Sequence, residues 1–197
     1  MSAELFETLR TYFEQRFLLS DEEFDFMKKL FQPKHFRKGA FLVREGEVAT
    51  HMAFVTKGIL RSYIIDNKGK EHIVQFAPET WWIGDTDSIK NSTPTMYFIN
   101  AIENTDALLI DIPGHLKIIE HVPGYASSFQ AGIQKHAAAK DKRIVATLSA
   151  TAEERYNTFM VTYSSIAQRV PQHMLASYLG ITPETLSRIR KKRSRKK

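Results

Sequence analysis

The chain of 197 residues contains no cysteine. Disulfide bonds, thiol nucleophiles, thiolate metal sites and cysteine-held iron–sulfur clusters are therefore excluded. The sequence also has no apolar run of membrane-spanning length, and its first residues, MSAELFETLRTYFEQ, are acidic and amphipathic rather than basic and then apolar. These absences predict a cytoplasmic protein with no signal peptide and no membrane partner.

Motifs of common enzyme classes are also missing. No His-x-His pair, Gly-x-Ser-x-Gly elbow or phosphate-cradling glycine-rich loop occurs in the sequence. The seven histidines are isolated, and a lone histidine is a weak indicator of a metal or haem ligand. We therefore expect no catalytic residues, no metal site and no cofactor, so that the chain is not an enzyme.

Positive charge is concentrated at the C-terminus. The net charge is +6, and residues 188–197 contain eight Lys or Arg and no acidic residue. Without those eight, 20 basic side chains remain against 22 acidic ones, a net charge of −2. A local basic block is typical either of a solvated tail or of a segment that binds a polyanion such as nucleic acid.

Residue patterns divide the chain into helical and β-rich parts. Two helices are predicted at residues 3–17 and from residue 21 to about 30, the second opened by a capping box at Ser20. From about residue 35 to 112, short β-rich runs alternate with turns, and YIIDNKGKEHIVQF is typical of a β-hairpin. The predicted fold class is α+β, with an N-terminal jelly-roll-like β-roll, flanking helices and C-terminal helices.

A long helix is predicted from Tyr125 to about Leu148. Its apolar stripe consists of Phe129, Ile133, Ala137, Ile144 and Leu148. A helix of this length needs a partner, and pairing with the same helix of a second chain would make the protein a homodimer. Packing against the chain's own β domain is the alternative, and the pattern does not distinguish the two.

The C-terminal segment fits a helix-turn-helix, preceded by a helix that opens with a capping box at residues 151–154. The motif needs a small residue where its helices cross, here Ala176, and a residue that tolerates a left-handed conformation four positions later, here Gly180. Thr182 is the N-cap of the second helix, and Pro183 occupies its first position. The predicted core comprises Leu175, Ala176, Leu179, Gly180, Ile181, Leu186 and Ile189.

The outward face of the second helix would lie in a DNA major groove. Its predicted DNA-binding residues are Thr182, Pro183, Glu184, Ser187, Arg188, Lys191 and Lys192. Arg188 offers two donors to guanine and Glu184 can accept from cytosine, whereas the hydroxyls and lysines are expected at phosphates. Sequence-independent attraction is expected from the tail residues Arg193, Arg195, Lys196 and Lys197.

A β-roll, a long helix and a C-terminal helix-turn-helix, in this order, resemble the Crp/Fnr family of bacterial transcription regulators. The runs KGAFLVREGE, VTKGILRSYIID, GKEHIVQF and WWIGD resemble the family's cyclic-nucleotide-binding-type domain, and ITPETLSRIRK resembles its recognition helix. The resemblance covers nearly the whole chain. It implies a sensor domain at residues 1–118, a dimerisation helix at 119–149 and a DNA-binding domain at 150–197. The implied partners are double-stranded DNA, a second copy of the chain and RNA polymerase.

Two features depart from the family pattern. The family's cyclic-nucleotide members bind phosphate with an arginine, but the matching region, GDTDSIKNSTPTMYFINA, has Thr95 at that position. Without a cation a buried phosphate is poorly stabilised, so cyclic nucleotide is expected only if Arg44 or Arg61 turns inward, towards a pocket formed by Gly84, Asp85, Thr95, Met96 and Tyr97. The family's β wing also has no counterpart after Ile189, and one hypothesis is that the basic tail makes the wing's DNA contacts.

The favoured interpretation is a homodimeric, sequence-specific DNA-binding regulator whose sensor domain has an unknown effector or none. Three alternatives stay open: a cyclic-nucleotide-responsive regulator with a non-standard pocket, a cupin-like enzyme with the same jelly-roll architecture, and a sensor or scaffold whose helix-turn-helix binds protein. His51 and His72 do not form the metal motif of a cupin enzyme. Trp81 and Trp82 are either strand-packing residues, which we favour, or part of a ligand pocket.

Overall fold

The computed structural model describes the backbone of residues 2–194 and their side chains, except those of residues 2, 135, 136 and 194. Eight helices and eight strands lie within this range. The helices are α1 (Ser2–Glu14), α2 (Asp21–Lys28), α3 (Thr86–Asn91), α4 (Ile112–His121), α5 (Pro123–Ser149), α6 (Ala152–Thr162), α7 (Gln172–Leu179) and α8 (Pro183–Ser194). The strands are β1 (Gln32–Phe36), β2 (Phe41–Val43), β3 (His51–Lys57), β4 (Leu60–Ile65), β5 (Glu71–Ala77), β6 (Trp82–Ile83), β7 (Phe98–Ala101) and β8 (Thr105–Asp111).

Two helices open the chain, as the sequence predicts. α1 ends at Glu14, before the predicted end, because the backbone tightens there and Arg16 N–H donates to Phe13 O at 2.8 Å. α2 begins after the predicted capping box. The Ser20 hydroxyl accepts from Glu23 N–H at 3.2 Å, and the Glu23 carboxylate accepts from Ser20 N–H at 2.8 Å. These reciprocal bonds satisfy two amide donors that a helix start leaves without partners.

The strands form two four-stranded sheets with the orders β1-β8-β3-β6 and β2-β7-β4-β5. Strands far apart in sequence, such as β1 and β8, pair antiparallel, which is typical of a jelly roll. Side chains that alternate inward along the strands form the core of the roll, among them Phe36, Ala53, Val55, Ile99 and Leu109. The predicted α+β class with a jelly-roll-like β-roll is therefore confirmed.

A second core joins the neighbouring helices to the other face of the sheet β1-β8-β3-β6. Phe54 points to this face, whereas Ala53 and Val55 point into the roll. The core is rich in aromatic rings, and the ring centroid of Trp82 lies 5.1 Å from that of Phe54 and 5.5 Å from that of Phe129. Trp82 is therefore a packing residue, which is the alternative that the sequence favours.

The turn between β4 and β5 confirms the predicted hairpin. Asp66 N–H donates to Lys70 O at 3.0 Å. The Asp66 carboxylate accepts from Lys68 N–H and Lys70 N–H and lies 2.8 Å from His72 Nε2. The hydrogen bond with His72, followed by those from the two amides, lowers the pKa of Asp66 to about 2. A turn organised around one carboxylate helps to set the register of the two strands.

Internal contacts divide the chain into two units. Unit 1 comprises Met1–Ile64 and Gln75–Ile133, and unit 2 comprises Ile65–Val74 and Gln134–Lys197. α5, with 27 residues, contributes its first part to unit 1 and its remainder to unit 2. No helix within residues 2–194 combines the length and the apolar character needed to cross a bilayer.

Within unit 2, side chains of α5 and α7 bind the first residues of β5. β5 is at the edge of its sheet, so its outer backbone groups face no further strand among residues 2–194. Ser177 of α7 accepts from Ile73 N–H at 3.0 Å and donates to Glu71 O at 2.9 Å. Arg143 of α5 donates to Ile73 O at 3.2 Å and to Val74 O at 2.9 Å. Two side chains thus supply hydrogen bonds that a neighbouring strand would otherwise make.

Candidate nucleic-acid interface

α7 and α8 form a helix-turn-helix through the residues predicted for it. α7 ends at Gly180, whose φ of +63° and ψ of +38° lie in the left-handed region that glycine adopts without strain. Gly180 N–H donates to Ser177 O at 3.1 Å, and Ile181 N–H reaches back to Ala176 O at 3.0 Å. Ala176 is buried. These bonds end α7 within a few residues and bring α8 against it.

The inner side of the motif is apolar. Ile181 and Ile189 are partly buried, and the leucines among the predicted core residues are fully covered: Leu175, Leu179 and Leu186. A fully buried leucine contributes on the order of 2 kcal/mol to folding. The helix pair is therefore stabilised by its own packing, and its polar residues are left on the opposite side.

α6 completes this core with aromatic side chains that the sequence prediction missed. The predicted capping box opens the helix: the Thr151 hydroxyl accepts from Glu154 N–H at 3.3 Å, and the Glu154 carboxylate accepts from Thr151 N–H at 2.7 Å. Buried aromatic residues then recur at intervals of three and four, at Tyr156, Phe159 and Tyr163. That spacing marks one face of a helix and is the signal by which the sequence could have revealed them.

The outward side of α8 presents the predicted DNA-binding residues. All seven are exposed: Thr182, Pro183, Glu184, Ser187, Arg188, Lys191 and Lys192. Thr182 caps the helix by accepting from Thr185 N–H at 3.3 Å. Interactions with its own backbone N–H and then with the Thr182 side chain lower the pKa of Glu184. Arg188 donates to Thr185 Oγ1 at 3.2 Å. A carboxylate and a guanidinium therefore lie one turn apart on the exposed face.

Two basic side chains of α8 are engaged with α6. Lys192 Nζ lies 2.8 Å from Glu153 Oε2, and Arg193 donates to Asn157 Oδ1 at 2.9 Å. An exposed ion pair of this kind is weak, so Lys192 can still be drawn to a phosphate, but the pair with Glu153 has to open first. The predicted tail contacts of Arg195, Lys196 and Lys197 lie outside the described residues.

The predicted effector pocket is a hydrogen-bonded network around one carboxylate. Asp85 caps α3 and accepts from Asp87 N–H and Ser88 N–H at 3.1 and 3.2 Å. Thr95 Oγ1 donates to Asp85 Oδ2 at 2.6 Å and accepts from Tyr97 N–H at 3.1 Å. Asp85 and Thr95 are both buried. Thr95, which stands at the position of the family's phosphate-binding arginine, is thus hydrogen-bonded to the carboxylate of Asp85.

The remaining residues of this pocket are placed differently. Met96 is exposed and Tyr97 is half-buried. Burial, and then the charge of Asp85, raises the pKa of Tyr97. Gly84 packs so closely on Met52 that a side chain there would collide with its sulfur atom. The short helix α3 was not predicted, although Asp85 followed by polar residues is a helix-start signal.

The two arginines considered as replacement cations have different environments. Arg61 is buried, with 5% of its surface exposed, and its Nε donates to Asn100 Oδ1 at 2.9 Å. Its guanidinium lies 4.1 Å from the ring centroid of Tyr63. Arg44 is exposed, 3.7 Å from Glu47 and stacked over a neighbouring ring. The fold therefore buries Arg61, and that cation is engaged with an amide oxygen and an aromatic face.

The predicted apolar stripe of α5 separates into two parts. Phe129 packs into the aromatic core of unit 1, with its ring centroid 4.3 Å from that of His115. The rest of the stripe is exposed, including 58% of Ile144 and 84% of Leu148, and it comprises Ile133, Ala137, Ile144 and Leu148. Packing against the β domain therefore accounts for Phe129 but not for the exposed residues, whose contact with water is unfavourable.

The comparisons with known proteins agree on one family. Residues 33–121 match the model of the cyclic nucleotide-binding domain. The chain is 24% identical over 164 residues to the transcriptional activator protein Anr of Pseudomonas aeruginosa, a match that covers 78% of this chain and 66% of Anr. Its structure is similar to that of FixK2 from Bradyrhizobium japonicum, with a TM-score of 0.71, 21% identity, and coverage of 82% of this chain and 83% of FixK2. A Crp/Fnr-family protein from Eubacterium rectale has a TM-score of 0.65 and 18% identity, with 87% of this chain and 82% of that protein covered.

The match at residues 33–121 and the similarity to these regulators support the resemblance to the Crp/Fnr family that the sequence shows. The activator Anr is a transcription regulator and not an enzyme, in agreement with the expectation for this chain. The chain spans 66% of the length of the two Anr proteins that it matches, from Pseudomonas aeruginosa and Pseudomonas protegens. The activities and partners of Crp/Fnr regulators therefore apply to this chain as proposals.

Proposed function

We propose that the chain is a sequence-specific DNA-binding transcription regulator that acts as a homodimer. The observation that carries the proposal is the exposed face of α8, which begins at the Thr182 cap and places Glu184 and Arg188 one turn apart. Because the inner side of the motif is packed, this face is the one that can enter a major groove. Since bacterial DNA lies in the cytoplasm, the proposal implies a cytoplasmic protein, with RNA polymerase as a further partner.

Four exposed residues of α8 have proposed roles. Arg188 reads guanine through two guanidinium donors, and Glu184 accepts from cytosine N4. Ser187 and Lys191 bind phosphates, which adds affinity without sequence preference. The interface therefore contains residues that read bases and residues that position the helix.

The exposed stripe of α5 is the proposed dimer interface. Its residues recur every four or seven positions, which is the spacing of a coiled-coil seam, and lie at Ile133, Ala137, Ile144 and Leu148. Two copies of α5 packed along this stripe would remove these side chains from water. Leu148→Glu should shift the protein from dimer to monomer in sedimentation velocity, whereas Ala138→Glu, off the stripe, should leave the dimer intact. A monomeric natural protein would overturn this part of the proposal.

We also propose that the cassette around Asp85 does not bind cyclic nucleotide. Thr95 stands at the position of the family's phosphate-binding arginine and is bonded to Asp85. A cyclic phosphate placed there would meet a buried carboxylate, and the buried Arg61 is engaged with Asn100 and Tyr63. The residues present therefore do not fit this group. A different effector would shift the population between arrangements of the two recognition helices. If the protein has no effector, the dimer stays in the arrangement that binds DNA.

Selection of genomic DNA fragments by the purified protein, at near-physiological salt and without added ligand, tests the proposal. We expect a palindromic site, because a symmetric dimer presents two recognition helices to two half-sites. Arg188→Ala should cost about 1–3 kcal/mol and relax the preference at the guanine that Arg188 reads. Lys191→Ala is the matched control, because loss of a phosphate contact weakens binding to all sequences alike.

The outcomes of this selection are distinguishable. Binding without sequence preference, with an affinity that falls steeply with salt, would mean either that an effector is missing or that the basic segment alone binds DNA. A palindrome recovered only after addition of cyclic AMP would overturn the proposal for the cassette. No binding to duplex DNA under either condition would favour a helix-turn-helix that binds protein.

A further inference from the structure

A cavity of about 140 Å³ lies in unit 2, between α5, α6 and α7. A cavity of roughly 150 Å³ can hold one benzene molecule, so this volume suits a ligand with a single ring. None of the described residues that line it is acidic. Its lining consists of apolar and aromatic side chains, two threonines and three basic side chains, so the rings and charges indicate what it can bind.

Three aromatic rings line this cavity. They belong to Phe159 and Tyr163 of α6 and to Tyr178 of α7. The ring centroid of Phe159 lies 5.0 Å from that of Tyr163 and 5.5 Å from that of Tyr178. Burial, and then the neighbouring Tyr178, raises the pKa of Tyr163, so this phenol stays neutral at neutral pH. Such a cluster of rings favours contact with one further aromatic ring.

Arg143 of α5 is held in place beside these rings. Its guanidinium carbon lies 4.5 Å from the ring centroid of Tyr178. Its Nη1 donates to the carbonyl groups of Ile73 and Val74. The other two nitrogens, Nε and Nη2, make no hydrogen bond to the described residues. These two nitrogens form one edge of the guanidinium, and that edge matches the two oxygens of a carboxylate.

Arg155 of α6 adds a second positive charge to the cavity. It also donates to carbonyl groups, from Nε to Leu179 O at 2.9 Å and from Nη1 to Ala150 O at 2.6 Å. A carbonyl group does not neutralise a guanidinium, and neither Arg143 nor Arg155 makes an ion pair within residues 2–194. Both side chains are partly buried. Two partly buried charges without an acidic partner favour an anionic group on the ligand.

The cavity is on the opposite side of α5 from the exposed stripe that forms the proposed dimer interface. Ala146 lines the cavity and lies two residues after Ile144 and two residues before Leu148. Two residues of a helix correspond to a rotation of roughly 200°, so Ala146 points away from both of these stripe residues. Packing of two chains along the stripe therefore leaves the cavity uncovered.

We propose that this cavity binds an aromatic carboxylic acid with a single ring. The ring packs against Phe159, Tyr163 and Tyr178, and the carboxylate accepts from Nε and Nη2 of Arg143. Arg155 supplies the second positive charge. A bound acid contacts α5, α6 and α7 together. The site goes beyond the proposed function, and it can be tested whether or not the chain binds specific DNA.

Isothermal titration calorimetry with the full chain, in the absence of DNA, tests the site. Benzoate is the probe, and we expect a dissociation constant of about 1 mM or lower. Benzamide has the ring without the charge and should bind at least about ten-fold more weakly. Cyclohexanecarboxylate has the charge without the aromatic ring and should bind about two- to ten-fold more weakly. No binding of benzoate, or equal binding of benzoate and either comparison compound, would overturn the proposal.

Two variants and a control locate the bound probe, with circular dichroism to check that each is folded. Ala146→Leu fills part of the cavity without removing a hydrogen bond and should weaken benzoate binding at least about ten-fold. Arg143→Lys keeps the charge but loses the paired donors, so it should weaken binding about five- to ten-fold. Ala138→Leu makes the same change at an exposed position of α5 that does not line the cavity, and it should bind benzoate like the natural protein. Undiminished binding by Ala146→Leu would overturn the proposal, and this result does not depend on whether Arg143→Lys folds.

Discussion

Replacing Ser177 with alanine should release the first residues of β5. The Ser177 hydroxyl accepts from Ile73 N–H at 3.0 Å and donates to Glu71 O at 2.9 Å. Both backbone groups are on the outer side of an edge strand, so no neighbouring strand in the described part of the chain replaces the lost bonds. Alanine removes the hydroxyl and leaves the rest of α7 unchanged, because it is a good helix former.

The magnitude follows from the number of bonds. A neutral hydrogen bond contributes about 1 kcal/mol net, so loss of both should lower the stability of this contact by about 1–3 kcal/mol. Ile73 N–H loses one acceptor, so local opening at this amide becomes easier by about 1 kcal/mol. If local opening governs hydrogen exchange, the Ile73 amide should exchange with solvent roughly five-fold faster. The effect should be confined to the first residues of β5, because Arg143 still bonds to the carbonyl groups of Ile73 and Val74.

Amide hydrogen exchange followed by NMR measures this directly. The Ile73 amide should exchange faster in Ser177→Ala, while amides in the core of unit 1, such as that of Phe54, should exchange at their natural rates. Ser187→Ala, an exposed serine on α8, is the matched control and should leave Ile73 unchanged. Unaltered exchange at Ile73 in Ser177→Ala would refute the assignment of this hydrogen bond.

Two further predictions concern the stability of unit 2. Leu186→Ala should lower the free energy of unfolding by about 2–5 kcal/mol, because it leaves a cavity at a fully buried position. Urea denaturation followed by circular dichroism would measure this change. A loss below about 1 kcal/mol would contradict the prediction. Thr151→Ala should cost about 1 kcal/mol in the same assay, because it removes one half of the capping box. The amide and hydroxyl of Thr151 lower the pKa of Glu154 below its ordinary value of 4.5, so the stability from this interaction is present above that pH and is lost as the pH falls below it. The free energy of unfolding of the natural protein should therefore fall on acidification from neutral pH to about pH 3, and that of Thr151→Ala should fall less. An equal fall with pH in the two proteins would show that the cap does not contribute.

Features that depend on neighbours in sequence could be predicted. The capping boxes at Ser20 and Thr151 and the turn at Asp66 each join groups at most four residues apart, and each is present in the structure. The left-handed turn at Gly180 belongs to the same class, because glycine is the residue that adopts it at least cost. These local signals located most of the helix starts and the helix-turn-helix.

Features that depend on distant contacts could not be predicted. Phe129 and Leu148 belong to one apolar stripe, yet Phe129 is part of a core and Leu148 is exposed. Periodicity identifies the apolar face of a helix but not what lies next to it. For the same reason the bond between Ser177 and Ile73, 104 residues apart, has no sequence signal. The sequence left open whether Arg61 turns inward, and the answer depends on its partner Asn100 in another strand.

The hydrogen bonds along β5 also have a consequence for solubility. An uncovered edge strand can pair with a strand of another molecule, and such pairing is a common start of aggregation. Ser177 and Arg143 occupy backbone groups of Glu71, Ile73 and Val74 that would otherwise be available for it. If the helices of unit 2 unfold while the β-roll persists, those groups become a template for intermolecular strands. Changes that loosen the helix-turn-helix are therefore expected to appear first as precipitation of an otherwise folded protein.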